Sequence, residues 1–182
     1  RQRQMCIRDS HYPAYVSKLV LISSGPFEEK YAAGVMNTRL QRLQEEERRE
    51  AKALYKVAAG SAVSAYELAR LGQLIFKADS YDPLPDDSQP LPVDPEVYRL
   101  VWPEASELRK SGRLLEMARR IKCPVVAVHG DYDPHPADGV KYPLSEAVDA
   151  FRFILLRRCG HYPWRERCAR DMFYSILNTE VW

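Results

Sequence analysis

The run Cys123-Pro124-Val125-Val126-Ala127-Val128-His129 restricts the fold of this chain more than any other segment. A strand with one wet face alternates apolar and polar side chains, and this run does not alternate. Such runs form strands buried on both faces of a parallel sheet, with helices covering each side. Phe151 to Leu156, FRFILL, reads as a second strand. Val16 to Ser23, VSKLVLIS, reads as a third that comes first in the chain, bounded by Tyr12-Pro13 and Ser24-Gly25-Pro26. A short helix is expected over Leu144 to Ala150, with Ser145 at its start. A closing helix is expected over Glu166 to Leu177, with Cys168, Met172, Phe173, Ile176 and Leu177 on one side. From residue 121 the order is strand, loop, helix, strand, loop, helix, the rhythm of a doubly wound α/β domain.

The residues between the first strand and that domain follow a helical period. Met36, Leu40, Leu43, Ala51, Leu54 and Ala58 recur on one face from Glu28 to about Gly60, and the run Glu45-Glu46-Glu47-Arg48-Arg49 reads as the solvated face. A second helix is expected from about Ala62 to Phe76. Helical patterns return at Glu96 to Val101 and at 104–120, where Leu108, Leu114, Leu115 and Met117 point inward and Gly112 is expected to divide the helix. Residues 79–95 hold five prolines and no periodicity, which predicts an extended loop. The helical segment is thus an insertion between two strands of one sheet.

Composition removes several classes of protein. At 46% hydrophobic and 29% charged residues the chain is too apolar for a disordered protein. It lacks the run of roughly 18 apolar residues that crosses a bilayer. With 27 basic against 25 acidic residues, nothing in the charge favours nucleic acid or an acidic lipid surface as partner. Cys6, Cys123, Cys159 and Cys168 show neither C-x-x-C nor zinc-ligand spacing, so free thiols in a reducing, cytoplasmic compartment are expected, with no metal and no cofactor. Met5-Cys6-Ile7-Arg8-Asp9-Ser10 has no periodicity and resembles a translated sequencing adapter, so residues 1–10 are expected to be a non-native tail.

Two loops carry the chemistry, each following a strand at the edge where α/β sheets bind ligands. One is His129-Gly130-Asp131-Tyr132-Asp133-Pro134-His135-Pro136; the other is Cys159-Gly160-His161-Tyr162-Pro163-Trp164. An acid on the first and a histidine on the second are placed to meet. A carboxylate that accepts one imidazole proton fixes the tautomer and leaves the other nitrogen to act as a base. Gly130-x-x-Asp133 and, 28 residues after the acid, Gly160-His161 resemble the acid and histidine motifs of the α/β-hydrolase superfamily. The segment GPFEEKY at residues 25–31 resembles its prolyl-aminopeptidase-like members. That resemblance implies an α/β fold: the C-terminal part of an α/β-hydrolase parallel sheet, about three strands, with an inserted helical cap. Residues 11–27 are then a core strand leading into the cap, 28–120 the cap, and 121–182 the C-terminal core.

It further implies Asp133 as triad acid and His161 as triad base, acting on an ester, amide or peptide-type acyl bond of a small molecule or short peptide. Asp131 is the rival acid, and a turn residue on its local sequence. His129 reads as a hydrogen-bonded core or pocket histidine, His135 as a pocket-rim residue, and Trp164 as packing beneath the histidine loop. Tyr31, Tyr66, Tyr81, Tyr98 and Trp102 are candidate pocket aromatics. The serine elbow G-x-S-x-G is not in these 182 residues: about Ser24 the two glycine positions hold Ile22 and Pro26, and about Ser61 they hold Ala59 and Val63. The nucleophile is therefore expected upstream, and this chain alone is expected to be inactive. Two alternatives stand beside this reading. One is an aspartate-nucleophile enzyme of the same fold, of the epoxide hydrolase or dehalogenase type. The other is a non-catalytic interaction protein.

Overall fold

A computed structural model describes residues 16–60, 63–85 and 94–181. The expected tail at 1–10 and much of the proline-rich loop lie outside them. Three parallel strands form one sheet in the order β1 (Leu19–Ile22), β2 (Val125–Gly130), β3 (Phe151–Leu156). The register pairs Leu19 with Val125 and Val125 with Phe151, and ends with Gly130 against Leu156. Every residue of β2 is buried, as its unalternating sequence requires. Its side chains divide by period two. Val125 and Ala127 join Leu19, Leu21, Val140 and Leu144 on one face, while Val126 and Val128 join Leu156, Ala169 and Phe173 on the other.

Among the described residues, six helices separate β1 from β2: α1 (Glu29–Ala32), α2 (Val35–Arg42), α3 (Glu45–Ala58), α4 (Ala65–Asp79), α5 (Pro95–Lys110) and α6 (Arg113–Ala118). α3 and α4 each begin with a capping box, Gln44 with Glu47 and Ser64 with Glu67. α2, α3 and α4 bury Leu43, Ala51, Leu74 and Ala78 against one another. Leu114 and Ala118 of α6 instead lie in the cluster beneath the sheet. Gly112, at φ +76°, separates α5 from α6 as expected. Pro103 does not break α5, whose start is set by the Asp94 side chain accepting from the Glu96 and Val97 amides, with Pro95 at the first helical turn.

In the C-terminal core, both helices begin elsewhere than expected from the sequence. α7 covers Asp138–Ala147, so it starts six residues before Leu144 and runs through Pro143. Ser145 caps nothing; its hydroxyl donates to the Tyr142 carbonyl inside the helix. The closing helix α8 covers Arg170–Val181, after a 3₁₀ turn at Pro163–Arg165. Glu166 is not helical, because it forms an isolated antiparallel bridge with Pro83. With this shift Cys168 and Met172 are exposed, while Ala169, Phe173, Ile176 and Leu177 face the sheet at helical spacing.

Candidate active site

β2 and β3 end side by side, so their following loops leave the same edge of the sheet together. Three bonds join them: Asp131 N–H donates to the Leu156 carbonyl (2.9 Å), Tyr132 N–H to the Cys159 carbonyl (2.8 Å), and Cys159 N–H to Asp131 Oδ1 (3.2 Å). Gly130 is required here, since a β-carbon would lie 2.2 Å from the Cys159 carbonyl oxygen. Gly160 is required for the same reason, at 2.0 Å from the Asp79 carbonyl oxygen. The two glycines that mark the loops in the sequence are thus points of close backbone approach.

The zipped loops bring Asp133 to His161, with Nδ1 of the imidazole 2.8 Å from Oδ2 of the carboxylate. Nε2 lies on the far side of the ring from the acid. The Asp133 side chain is fully buried, and that of His161 is 24% exposed. Asp131, the rival acid, faces away: it is bonded to the Cys159 amide and lies 3.8 Å from Arg157.

His135, expected at a pocket rim, turns its ring onto the acid. Its backbone N–H and its ring Nδ1 both bond Asp133 Oδ1, at 2.9 and 2.8 Å. Its ring centroid lies 4.8 Å from that of His161. The Asp-Pro-His spacing was legible as a turn, but not the return of the side chain onto the acid. His129 is a buried histidine, as expected, whose Nε2–H donates to the His135 carbonyl at 2.8 Å.

Burial alone would raise the Asp133 carboxyl, but the His135 and His161 hydrogen bonds outweigh it and hold the group well below the usual carboxylate range. Burial lowers His135 from the ordinary imidazole value against the pull of the same carboxylate, so this ring is neutral at neutral pH. Burial also pushes the Cys159 thiol up to about 12, which removes it as a nucleophile at neutral pH. The Tyr162 phenol, edge-on to His161 at 5.0 Å, is pushed up to about 12 by its own burial.

The helical insertion reaches this edge. The His161 N–H donates to the Asp79 carbonyl at the end of α4, at 2.8 Å. The Asp79 carboxylate is fully buried and held by Arg39 of α2 in a two-pronged pair, Nε at 2.8 Å and Nη2 at 2.6 Å. Arg42 lies 3.6 Å over the Tyr132 ring. Glu166, fully buried, accepts three backbone N–H bonds: from Tyr81 and Gly160 at Oε1, and from Asp82 at Oε2, all at 2.8–2.9 Å. It joins the segment after α4 to the residue before His161. Its position at an apparent helix start hid this role.

Of the aromatic candidates, Tyr81 stacks edge-on to Tyr132 beside the acid loop, at 5.3 Å, while Tyr66 and Trp102 are exposed surface residues. Trp164 lies between Tyr162 and Phe173, joining the histidine loop to α8. Asp133, His135 and His161 are also a group of metal-ligating residue types, with ligand atoms within 4.8 Å of one another. The nitrogens facing the carboxylate are each spent on a hydrogen bond to it, so an ion there would displace both bonds. Among the described residues no helix is long and apolar enough to cross a membrane.

A three-stranded parallel sheet with an acid loop and a histidine loop at its C-terminal edge, and helices inserted after the first strand, is the architecture of the α/β-hydrolase fold, and the chain has that fold. No family model and no curated protein matches it. Solved structures do. The chain is similar to the enol-lactonase from Burkholderia xenovorans LB400, with 18% identity and a TM-score of 0.52 over 99% of this chain and 62% of that one. It is similar to Est816, described as an N-acyl homoserine lactone degrading enzyme, with 16% identity and a TM-score of 0.55 over 98% and 63%. A monoacylglycerol lipase from Paleococcus ferrophilus gives 17% identity and a TM-score of 0.52 over 99% and 64%. The chain therefore spans less than two thirds of the length of each. At these identities the likeness is one of fold.

Proposed function

We propose that this chain is the cap and C-terminal core of a hydrolase that cleaves an acyl bond (ester, amide or peptide-type) in a small molecule or short peptide. The observation that carries the reading is the 2.8 Å contact between His161 Nδ1 and a fully buried, ionised Asp133 at the C-terminal edge of the sheet. In this reading Asp133 fixes the His161 tautomer with its proton on Nδ1. Nε2 then takes the proton of a serine hydroxyl as the serine attacks the acyl carbon. It returns that proton to the leaving group; in the second half-reaction it takes one from the water that attacks the acyl-enzyme and passes it to the serine oxygen as the acyl–serine bond breaks. Asp133 stays ionised and stabilises the imidazolium between the two transfers. The serine and the oxyanion donors come from a segment outside these 182 residues, and the helices from α1 to α5 bound the substrate space.

The reading is tested on the chain itself with p-nitrophenyl esters and aminoacyl amides, alongside His161→Ala. Loss of a triad nucleophile costs on the order of 10⁶ in turnover, so the expected result is no enzymatic rate in either protein. Turnover by the 182-residue chain that disappears in His161→Ala would place a nucleophile within it and contradict the reading.

A further inference from the structure

Asp133 accepts hydrogen bonds from two imidazoles, whereas the proposed acid–base pair needs one. His161 takes Oδ2; His135 takes Oδ1 twice, through its backbone N–H and its ring. We propose that His135 is a positioning residue: by holding Oδ1 of Asp133 it fixes the rotation of the carboxylate so that Oδ2 stays aimed at His161. This rests on the acyl-hydrolase reading above and adds a residue to it.

The torsion that turns a carboxylate about its last bond is soft and nearly two-fold, so a single backbone N–H restrains it weakly. The second donor on the same oxygen, from a ring that is only 16% exposed, removes that freedom. The ring is itself held in place. Pro134 fixes the backbone angle before it, and Pro136 after it confines His135 to extended conformations. His129 Nε2–H anchors the His135 carbonyl at 2.8 Å from the floor of the sheet, leaving His129 3.6 Å from Oδ2, outside hydrogen-bond reach. His135 also stacks obliquely on His161, with ring planes at 42°, so the same ring limits the tilt of the base.

The test reads the hydrogen bond directly. In the ¹⁵N-histidine-labelled protein extended through its upstream reading frame, at neutral pH, His135 and His161 should each give a low-field, exchange-protected Nδ1–H proton signal, assigned by its loss in His135→Ala and His161→Ala. In His135→Ala the His161 signal should move upfield, and its proton should exchange about tenfold faster, the effect of losing one net hydrogen bond of ordinary strength. His135→Asn, whose amide can place an N–H where Nδ1–H stood, should restore most of the protection; His135→Leu, which fills the same space without a donor, should not. The Asn and Leu pair decides the matter if the Ala variant does not fold. Equal His161 shift and exchange in the wild type, Asn and Leu variants would overturn the positioning role and leave the acid–base pair standing. A wild-type chain with no His161 Nδ1–H signal would overturn both.

Discussion

At Asp133, burial and hydrogen bonding pull in opposite directions. A carboxylate with no exposed side-chain surface pays for desolvation, and the two imidazole N–H groups repay it by favouring the charged form. The folded-state value is depressed below the unfolded one of about 3.9, so the stabilisation is complete above that pH and is lost as pH falls through the folded value. Asp133→Asn should therefore destabilise the chain most at neutral pH. The gap between variant and wild type, measured by urea unfolding, should narrow below about pH 4. A gap unchanged between pH 7 and pH 3 would show that the charge does not contribute. Thiol chemistry separates two other residues: Cys159 is buried and protonated, Cys168 exposed. In the folded chain iodoacetamide should modify Cys168 and spare Cys159, as read by peptide mass mapping. Modification of both at similar rates would place the histidine loop in a more open state than described.

At the scale of elements, the histidine loop is held from three sides: by β2 through Gly130, by the end of α4 through the Asp79 carbonyl, and by Glu166 from within. Glu166→Ala leaves three backbone N–H groups without their acceptor, Gly160 buried, Asp82 half-buried and Tyr81 on an exposed residue. At about 1–3 kcal/mol for each donor left unsatisfied, the loss should be on the order of 3 kcal/mol or more by denaturant unfolding. A loss below about 1 kcal/mol would mean that water replaces the carboxylate. Much of this region was legible in the sequence. The unalternating apolar run of β2, the FRFILL strand and the glycines at 130 and 160 are local signals, and they place Asp133 and His161 on one edge. What was not legible depends on contacts between distant segments. Glu166 reads as a helix start because its partners, Tyr81 and Asp82, lie more than eighty residues away. α7 begins early because packing of Val140 and Leu144 beneath the sheet overrides local propensity, and α5, which runs through Pro103, is started by the Asp94 cap.

At the scale of the whole molecule, the sheet is unevenly finished. β2 is paired on both sides and buried throughout, whereas β1 is bonded, among the described residues, to β2 alone. An edge reading Leu19-Val20-Leu21-Ile22 has no charge or proline to discourage a further strand from adding to it. The chain made alone should self-associate, seen by light scattering as species larger than the 21.0 kDa monomer. A monodisperse monomer would mean that the edge is already covered. The proposed hydrolase gives a reason for the open edge, since its nucleophile strand would lie there and bring the serine to His161. The central claim is that Asp133 and His161 are the acid and base of that serine. It is tested most directly by extending the reading frame upstream, expressing the longer protein and labelling it with a fluorophosphonate. The account predicts one phosphonylated serine on a strand-to-helix turn, with labelling or ester turnover slowed about 10⁴-fold in Asp133→Asn and at least as much in His161→Ala. A longer protein that hydrolyses esters at an undiminished rate in His161→Ala, or whose labelled nucleophile is not a serine, would contradict it.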